Sequence, residues 1–394
     1  MQPDLAEARQ ARLAATAERA ALRAQRLWRR RFTGGDFDAA WRDLTGPLTA
    51  VAAAAQVEAA RGASVYLAAT ARADGAEPRA ELVEPAAFAG VDGSGRDVEG
   101  LLYGAVTTAK TRIGEGAGLQ AATVASVAYL VAMVRTAVMD TGRSADLTAA
   151  AARSYTSYVR VVSPGACSRC AILAGMQSSA TPFKRHPACK CTAAPEHGGA
   201  AATERGRYRS PADYFESLSH AEQDRVFTKA GAEAIRLGAD PVMLVSGRRG
   251  ATGIEYSRRV LDGRTLPGSR RRIEKTVIGR RADGSPILGY TTGEGTTVRG
   301  GWGRAQARAG AAVQTRADDR YRTVRRVRLM PETILQLTDD VELRKVLLRD
   351  AGYLQWSESW KTQTDNSWVA RRALEQADDR ATAEAFYRAL GIHA

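Results

Sequence analysis

The chain has four cysteines, and all of them lie in one short segment together with a histidine. Cys167 and Cys170 form a C-x-x-C pair, and His186, Cys189 and Cys191 follow after a loop. A C-x-x-C turn directs two thiolates towards one point, and a second group of donors across a loop completes a tetrahedral shell around zinc. The pattern predicts a zinc knuckle in which all five residues are candidate ligands.

Two other kinds of site use cysteines in such patterns. A pair of disulfides is one alternative, but the N-terminus has no apolar run of the kind found in secretory signals, which argues against an oxidising compartment. A redox C-x-x-C is the other, but it requires a thioredoxin-like strand and helix, and none is evident here. Zinc is the preferred interpretation. Four protein ligands leave no open position for water or substrate, so the predicted zinc is structural.

Five donors compete for four positions. Cys189 and Cys191 would share a face in a regular strand, but Pro187 leaves their directions open. Both can bind, or His186 can replace one of them, and His197 is a weaker sixth candidate. Three basic residues flank the donors and either offset the charge of the thiolates or contact nucleic acid: Lys184, Arg185 and Lys190.

Positive charge is concentrated in one region. The formal net charge is +14, and residues 245–328 hold twenty basic against seven acidic residues. Such a region attracts polyanions, and arginine doublets in a glycine-rich chain suit phosphate contacts that do not read sequence. A solvated surface without a specific partner is the alternative. The predicted nucleic-acid-binding residues are Arg248, Arg249, Arg258, Arg259, Arg270, Arg271, Arg272, Arg280 and Arg281.

Helical patterns precede the cysteine segment. Residues 1–31 contain no glycine and predict a long helix, and apolar spacing predicts a second helix over 36–71 that Gly46 and Pro47 kink or split. The pattern resumes over 97–161, with breaks near 114–118 and at Gly142. The uncharged stretch 116–134 is barely long enough to span a bilayer, and its polar residues favour a buried helix.

Different signals mark the chain from the cysteines onwards. Four prolines predict that residues 163–197 are loop-like. Ser210 and Pro211 begin a short helix, and Ser219 with Glu222 has the spacing of a capping box, which begins a helix that ends at Gly238. A helical hairpin from Met330 to Gly352 and a last helix over 367–390 complete the chain.

These elements predict a mainly α fold with five segments. They are a helical N-terminal domain (1–162), the zinc knuckle (163–200), a helical pair (201–244), an irregular, partly disordered basic β and coil arm rich in Gly and Arg (245–328), and a C-terminal helical region (329–394).

The cysteine segment, VVSPGACSRCAILAGM followed by FKRHPACKCTAAPEH, resembles the end of the Mu F-like phage head morphogenesis domain. The hallmark of that family is a C-x-x-C, a short loop and then His-Pro-x-Cys-x-Cys, which Cys167, Cys170, His186, Cys189 and Cys191 match. The stretches DYFESLSHAEQDRVFTKAGAEAIRLGAD, RLMPETILQL and LLRDAGYL resemble sequences that accompany this knuckle in tailed phages of actinobacteria. Together the similar pieces cover well under half of the chain.

The resemblance implies a minor head protein of the virion that acts in head assembly and DNA packaging by binding. It implies the portal protein, the major capsid protein and viral DNA as partners, with no membrane. The expected location is the capsid interior or the portal vertex, after assembly in the host cytoplasm. A zinc protein that binds nucleic acid outside any virion is an alternative.

Proteins of this kind are often labelled capsid maturation proteases, which makes an enzyme the other alternative. A serine protease needs a nucleophile, a base and an orienting group. The chain has four histidines, and no G-x-S-x-G or H-E-x-x-H motif accompanies them. No catalytic residue is therefore predicted, and binding is favoured over catalysis.

Overall fold

The computed structural model of the chain describes residues 4–32, 35–75, 77, 83–153, 155–196, 210–251, 254–256, 259–261, 264–266, 271–273, 275–315, 321–354 and 367–392. The chain divides into two compact units, Met1–Tyr214 and Phe215–Ala394. Helices make up 61% of the structure and strands 12%, which confirms the predicted mainly helical class. The five predicted segments are a finer division, and residues 201–209 of the predicted helical pair lie outside the described residues.

Four long helices form the greater part of the first unit. They are α1 (Leu5–Arg31), α2 (Phe37–Ala73), α3 (Val98–Gly114) and α4 (Leu119–Ala151). Helix α4 packs against the other three. Alanine supplies many of the buried side chains, and because alanine is short, the helix axes approach closely.

The predicted break at Gly142 is wrong, and of the two alternatives predicted at Pro47, a kink or a split, the split is wrong. Helix α2 continues through Pro47. Helix α4 continues through Gly142, where a Cβ atom would lie 2.9 Å from Leu13 Cδ1 and nearer still to Leu13 Cδ2. The glycine at 142 therefore serves the close packing of α1 on α4, and this packing outweighs the roughly 1 kcal/mol that glycine costs in a helix interior.

Among the described helices, α4 is long and apolar enough to cross a membrane by length and composition alone. The core helix of a soluble protein passes the same test, so this is weak evidence. The second half of α4 carries the buried charged residues Asp140, Arg143 and Asp146. Arg9 of α1 forms a buried ion pair with Asp146, with 2.8 Å between Nη2 and Oδ1.

The cysteine segment contains a small antiparallel sheet, so the prediction that it is loop-like is wrong. Strand β1 (Ser157–Val161) lies between β2 (Gly175–Ser178) and β3 (Thr192–Glu196), and a one-turn helix, α5 (Ser168–Ala171), connects β1 to β2. Strand β1 also replaces the predicted end of the helical pattern at 161. Pro195 lies in β3, an edge strand whose outer side needs no backbone donor.

Helices and paired strands form the second unit and the chain that leads into it, and all of the helices except α13 are short. The helices are α6 (Pro211–Glu216), α7 (His220–Phe227), α8 (Lys229–Arg236), α9 (Pro241–Arg249), α10 (Gly301–Arg308), α11 (Pro331–Leu337), α12 (Val341–Asp350) and α13 (Ser367–Ala389). The strands are β4 (Ile254–Tyr256), β5 (Arg259–Leu261), β6 (Arg264–Leu266), β7 (Arg271–Ile273), β8 (Thr276–Arg280), β9 (Pro286–Gly289), β10 (Thr291–Thr292), β11 (Val313–Thr315), β12 (Arg322–Val324) and β13 (Arg328–Leu329).

The predicted helix over 219–238 is divided in two at Thr228. The predicted capping box is present, since Ser219 and Glu222 cap each other at the start of α7. Thr228 then takes a left-handed φ of 71°, which ends α7, and its hydroxyl accepts a hydrogen bond from the Gly231 amide to begin α8. A β-branched residue seldom has this backbone conformation, so the sequence pattern does not reveal the break.

The basic segment is a folded part of the second unit where the structure describes it. Its strands pair β4 with β7, β5 with β6, β8 with β9, β10 with β13 and β11 with β12. Ile278, Trp302, Val324 and Arg328 of this segment are buried. The described residues of the segment therefore contain the predicted β and coil elements, together with one helix that the sequence did not predict, α10.

Candidate metal centre

The first two cysteines are held by the turn that begins α5. The Cys170 amide donates to the Cys167 carbonyl at 2.9 Å, and the Ala171 amide donates to the same carbonyl at 3.0 Å. This helical turn brings the two side chains of the C-x-x-C pair to one side of the backbone. Cys170 is buried, whereas Cys167 is exposed.

The other donors lie on a second tight turn, which is anchored to α4. The Cys189 amide donates to the His186 carbonyl at 3.1 Å. Ala188, between them, has a φ of 59°, and its amide donates to Thr136 Oγ1 of α4 at 2.7 Å. A left-handed alanine costs roughly 1 kcal/mol, so contacts elsewhere must maintain this conformation.

The five predicted ligands lie together as two groups of three that share Cys170. The outer group is Cys167, Cys170 and His186, and the inner group is Cys170, Cys189 and Cys191; within each group all donor atoms lie within 4.8 Å of one another. His186 Nε2 is 3.2 Å from both Cys167 Sγ and Cys170 Sγ, and Cys170 Sγ is 3.5 Å from Cys189 Sγ.

The separation of 3.5 Å between the sulfurs is that of a tetrahedral metal site, and the two nitrogen–sulfur separations of 3.2 Å are a few tenths of an ångström shorter. Sulfur and nitrogen ligands about 2.3 Å and 2.1 Å from a zinc ion lie roughly 3.5–3.8 Å from each other. All four cysteines are free, and the 3.5 Å between Cys170 Sγ and Cys189 Sγ is far longer than a disulfide bond of about 2.05 Å. The cluster can therefore hold a metal ion.

The ring of His186 is oriented by its own backbone. Its Nδ1 lies 2.8 Å from the Pro187 carbonyl oxygen, to which it donates, so Nε2 is the atom that faces the sulfurs. Metal-binding histidines commonly donate their second ring nitrogen in this way, and this fixes the tautomer. Cys191, on the inner side, has Ser163 Oγ at 4.0 Å from its sulfur.

Hydrogen bonds within the cluster favour the thiolate at two of the four cysteines, Cys167 and Cys189, and the hydrogen bond with Cys167 raises the pKa of Cys170. These bonds lower the pKa of Cys167 to about 4, through Cys170 first and then through His186. The pKa of Cys189 is also lowered, through Cys170 first. In return, the Cys167 sulfur raises the pKa of His186 to about 9. Cysteine binds metals as the thiolate and histidine as the neutral ring, so a metal ion would displace protons from His186 and from Cys170, whose pKa values are raised.

Buried arginines surround the inner sulfurs. Arg160 of β1 places Nη2 3.6 Å from Cys170 Sγ and 3.7 Å from Cys189 Sγ. Arg143 of α4 donates from Nη2 to the Cys189 carbonyl at 3.0 Å. Sequence reasoning missed both residues. The available signal is that each is a charged residue within an apolar helix or strand.

Of the three flanking basic residues, Arg185 has another role than predicted. Arg185 Nε donates to the buried carboxylate of Asp140 at 2.5 Å, and the Lys184 carbonyl accepts from Arg160. Lys190 is exposed. The charges nearest the sulfurs are therefore those of Arg160 and Arg143, while Arg185 neutralises Asp140. His197 lies outside the described residues.

The predicted nucleic-acid-binding arginines do not form one described cluster. Arg280 and Arg281 are exposed near the turn between β8 and β9, where their guanidinium groups bond to Gly284 and Ser285 of the turn. Arg248 is paired with Glu332 within the second unit, and Arg249 ends α9. Arg259, Arg271 and Arg272 lie in β5 and β7, and only the backbone of these three residues is described. Arg258 and Arg270 lie outside the described residues.

Comparisons of the chain with models of protein families, with curated proteins and with solved structures found no match.

Proposed function

We propose that the cysteine cluster is a structural zinc knuckle. The observation that carries the proposal is that Cys167, Cys170, His186, Cys189 and Cys191 converge, with three of the four sulfurs buried. Thiolate and imidazole donors in a tetrahedral set favour zinc over the hard cations magnesium and calcium. Four of the five donors fill the shell, and no position remains for a substrate.

The zinc would tie the β1–β3 sheet to the turn that carries His186 and Cys189. The loop between β2 and β3 has few apolar side chains, and one of them, Phe183, packs beside Tyr158 with 5.9 Å between ring centroids. Metal ligation supplies folding free energy where a hydrophobic core is small. A structural role is therefore the role that suits the surroundings of the cluster.

We infer further that the chain is a minor head protein of a tailed phage, associated with the portal protein and the major capsid protein. The support is the Mu F-like order of donors, C-x-x-C followed by His-Pro-x-Cys-x-Cys, and the positive charge of residues 245–328. The protein would act in head assembly and DNA packaging by binding, at the portal vertex or capsid interior.

Contact with viral DNA is proposed for the arginines of the basic segment. Arg280 and Arg281 are the candidates that lie exposed at the end of the β8–β9 hairpin. Phosphate contacts of this kind are independent of sequence and weaken with salt. Replacing both with glutamine should lower duplex affinity and reduce the slope of log affinity against log salt by about 2.

Mass spectrometry of purified virions tests the head-protein proposal. The expected result is that the chain is present in few copies per particle, with zinc in the same fraction. Absence of the chain from particles would leave the alternative of a zinc protein that acts outside the virion. Co-expression with the major capsid protein, followed by intact-mass measurement, tests the protease alternative. Cleavage that disappears on a single Ser→Ala or His→Ala change would contradict a binding role.

A further inference from the structure

Two arginine side chains lie almost fully buried behind the cysteine cluster. Arg160 projects from the central strand β1 and is 2% exposed, and Arg143 projects from α4 and is 3% exposed. Burial of a charged side chain costs several kcal/mol unless an opposite charge and hydrogen bonds compensate. The groups around these two guanidinium ions therefore indicate what the site is built to hold.

The guanidinium of Arg160 is held in a fixed position against the sulfurs. Nη1 donates to the Lys184 carbonyl at 2.8 Å, and the group lies over the Phe183 ring, with Cζ 4.3 Å from the ring centroid. Nη2 faces Cys170 Sγ and Cys189 Sγ at 3.6 and 3.7 Å. Nε has no hydrogen-bond partner among the described residues. The hydrogen-bond acceptors of Nη2 are therefore the sulfurs of two inner cysteines, Cys170 and Cys189.

Arg143 reaches the same region from the helix. Its Nη2 donates to the Cys189 carbonyl, and its Cζ lies 5.3 Å from the centroid of the Phe183 ring. Its Nη1 is 3.3 Å from Asp140 Oδ1. The other oxygen of the Asp140 carboxylate is engaged by Arg185. One carboxylate is thus shared between two arginines.

The charged side chains packed behind the sulfurs carry a net positive charge. Arg143, Arg160 and Arg185 bring three positive charges, and Asp140 brings one negative charge. The nearby carboxylate of Asp92 is already paired with Arg96. A divalent metal bound by three or four thiolates carries a net charge of −1 or −2, which is the charge that this surplus can balance.

We propose that Arg160 and Arg143 are positioning residues whose charge balances a thiolate-rich metal centre and so raises its affinity for zinc. The inference rests on the proposed zinc knuckle. Neither arginine is a ligand. They act on the ligands through charge and through contacts with Cys170 and Cys189, as hydrogen-bonding groups outside the first shell do in other zinc sites.

The test is the zinc affinity of Arg160→Met in the full-length chain, measured by competition with a chromogenic chelator. Methionine keeps much of the packing on Phe183 but removes the charge. The expected result is zinc binding weaker by about 10–100-fold. Arg160→Lys, which restores the charge, should recover a large part of the loss. Arg169→Met is the matched control, because Arg169 lies between the two cysteines of the C-x-x-C pair but is exposed.

Zinc affinity of Arg160→Met within about twofold of the wild type would overturn the inference, and so would Arg160→Lys binding zinc as weakly as Arg160→Met. If Arg160→Met does not fold, Arg143→Met and Arg143→Lys repeat the same pair of measurements at the second arginine. A wild-type chain that binds no zinc would instead contradict the zinc knuckle itself, so the two failures are distinguishable.

Discussion

Both units of the protein bury an arginine almost completely, but they satisfy it in different ways. Arg328 in the second unit is 1% exposed, and Arg160 in the first unit is 2% exposed. Arg328 donates from Nε to the Ala351 carbonyl and from Nη1 to the Glu294 carbonyl, at 2.8 and 2.7 Å. The fold of the second unit itself supplies these acceptors.

Aromatic rings complete the surroundings of Arg328. Its Cζ lies 4.6 Å from the centroid of Tyr353 and 5.8 Å from that of Trp302. Among the described residues, the Arg160 guanidinium contacts the Phe183 ring, the Lys184 carbonyl and the sulfurs of Cys170 and Cys189. A buried arginine can therefore belong to a core, where backbone carbonyls accept its hydrogen bonds, or to a site, where the side chains of that site accept them.

The largest expected effect is that of removing one of the sulfurs that Arg160 contacts, the Cys170 sulfur. Cys170 belongs to both groups of donors, so Cys170→Ser should abolish zinc binding and unfold the β1–β3 sheet. Structural zinc contributes about 10–16 kcal/mol in small zinc-finger peptides, so other contacts are not expected to replace it. Zinc content and hydrogen–deuterium exchange over residues 157–196 measure the effect, with Ser168→Ala as the control. Retention of both zinc and protection would show that Cys170 is not a ligand.

The second prediction concerns Arg328→Met. Removal of this guanidinium leaves buried carbonyls without a donor, which should cost the second unit about 3–5 kcal/mol of unfolding free energy. Zinc affinity should not change. Guanidinium chloride unfolding of the full chain, followed by hydrogen–deuterium exchange of each unit, checks both statements. If Arg328→Met lost as much zinc affinity as is expected for Arg160→Met, the claim that, of these two arginines, only Arg160 acts on the metal site would be contradicted.

The third prediction tests the close packing in the first unit. Gly142→Ala inserts a methyl group against Leu13 and should destabilise this unit by about 1–3 kcal/mol. Gly114→Ala at the end of α3 is the matched control, because no atom beyond its chain neighbours and its own helix backbone lies within 4 Å of its Cβ position. Alanine there should be neutral or should stabilise the helix by up to about 1 kcal/mol. Equal effects of the two variants on the unfolding midpoint would contradict the packing explanation.

The smallest effect is a pH dependence that both units should share. Burial, opposed in part by Arg9, raises the pKa of Asp146 from 3.8 to about 6, and burial opposed by Arg326 does the same for Asp350. The folded protein therefore favours the protonated form of these two carboxyl groups more than the unfolded chain does. Their contribution to stability is complete below about pH 4 and is lost as the pH rises through 6, by roughly 1 kcal/mol per pH unit.

Asparagine variants assign this pH dependence to each unit. Asp146→Asn should flatten the pH dependence of unfolding of the first unit between pH 4 and 7, and Asp350→Asn should do so for the second unit. Denaturant unfolding at several pH values, with hydrogen–deuterium exchange to separate the units, is the measurement. An unchanged slope in both variants would contradict the assignment to these carboxyl groups.

Local signals in the sequence predict many of the element boundaries. The Ser219–Glu222 capping box begins α7 and Pro211 begins α6. The interruption at 114–118 separates α3 from α4, and the last helix begins at Ser367 as predicted. Each of these signals depends on a few neighbouring residues, so it can be recognised in the sequence without knowledge of the tertiary structure.

The features that the sequence does not predict depend on distant contacts. Gly142 stays helical because Leu13 packs against it, and Thr228 divides a helix although its residue type seldom has a positive φ. The five residues that could hold a metal ion are predictable from spacing. The buried Arg160 and Arg143 are not, because their relation to the sulfurs arises only when β1 and α4 come together in the fold.

The metal content of the freshly purified full-length chain tests the central claim most directly. Elemental analysis, combined with a count of free thiols in the unfolded protein, measures both possible states of the cysteines. The structure predicts about one zinc per chain and four reduced cysteines after the metal is removed. A chain that carries no metal and has oxidised cysteines would contradict the zinc knuckle.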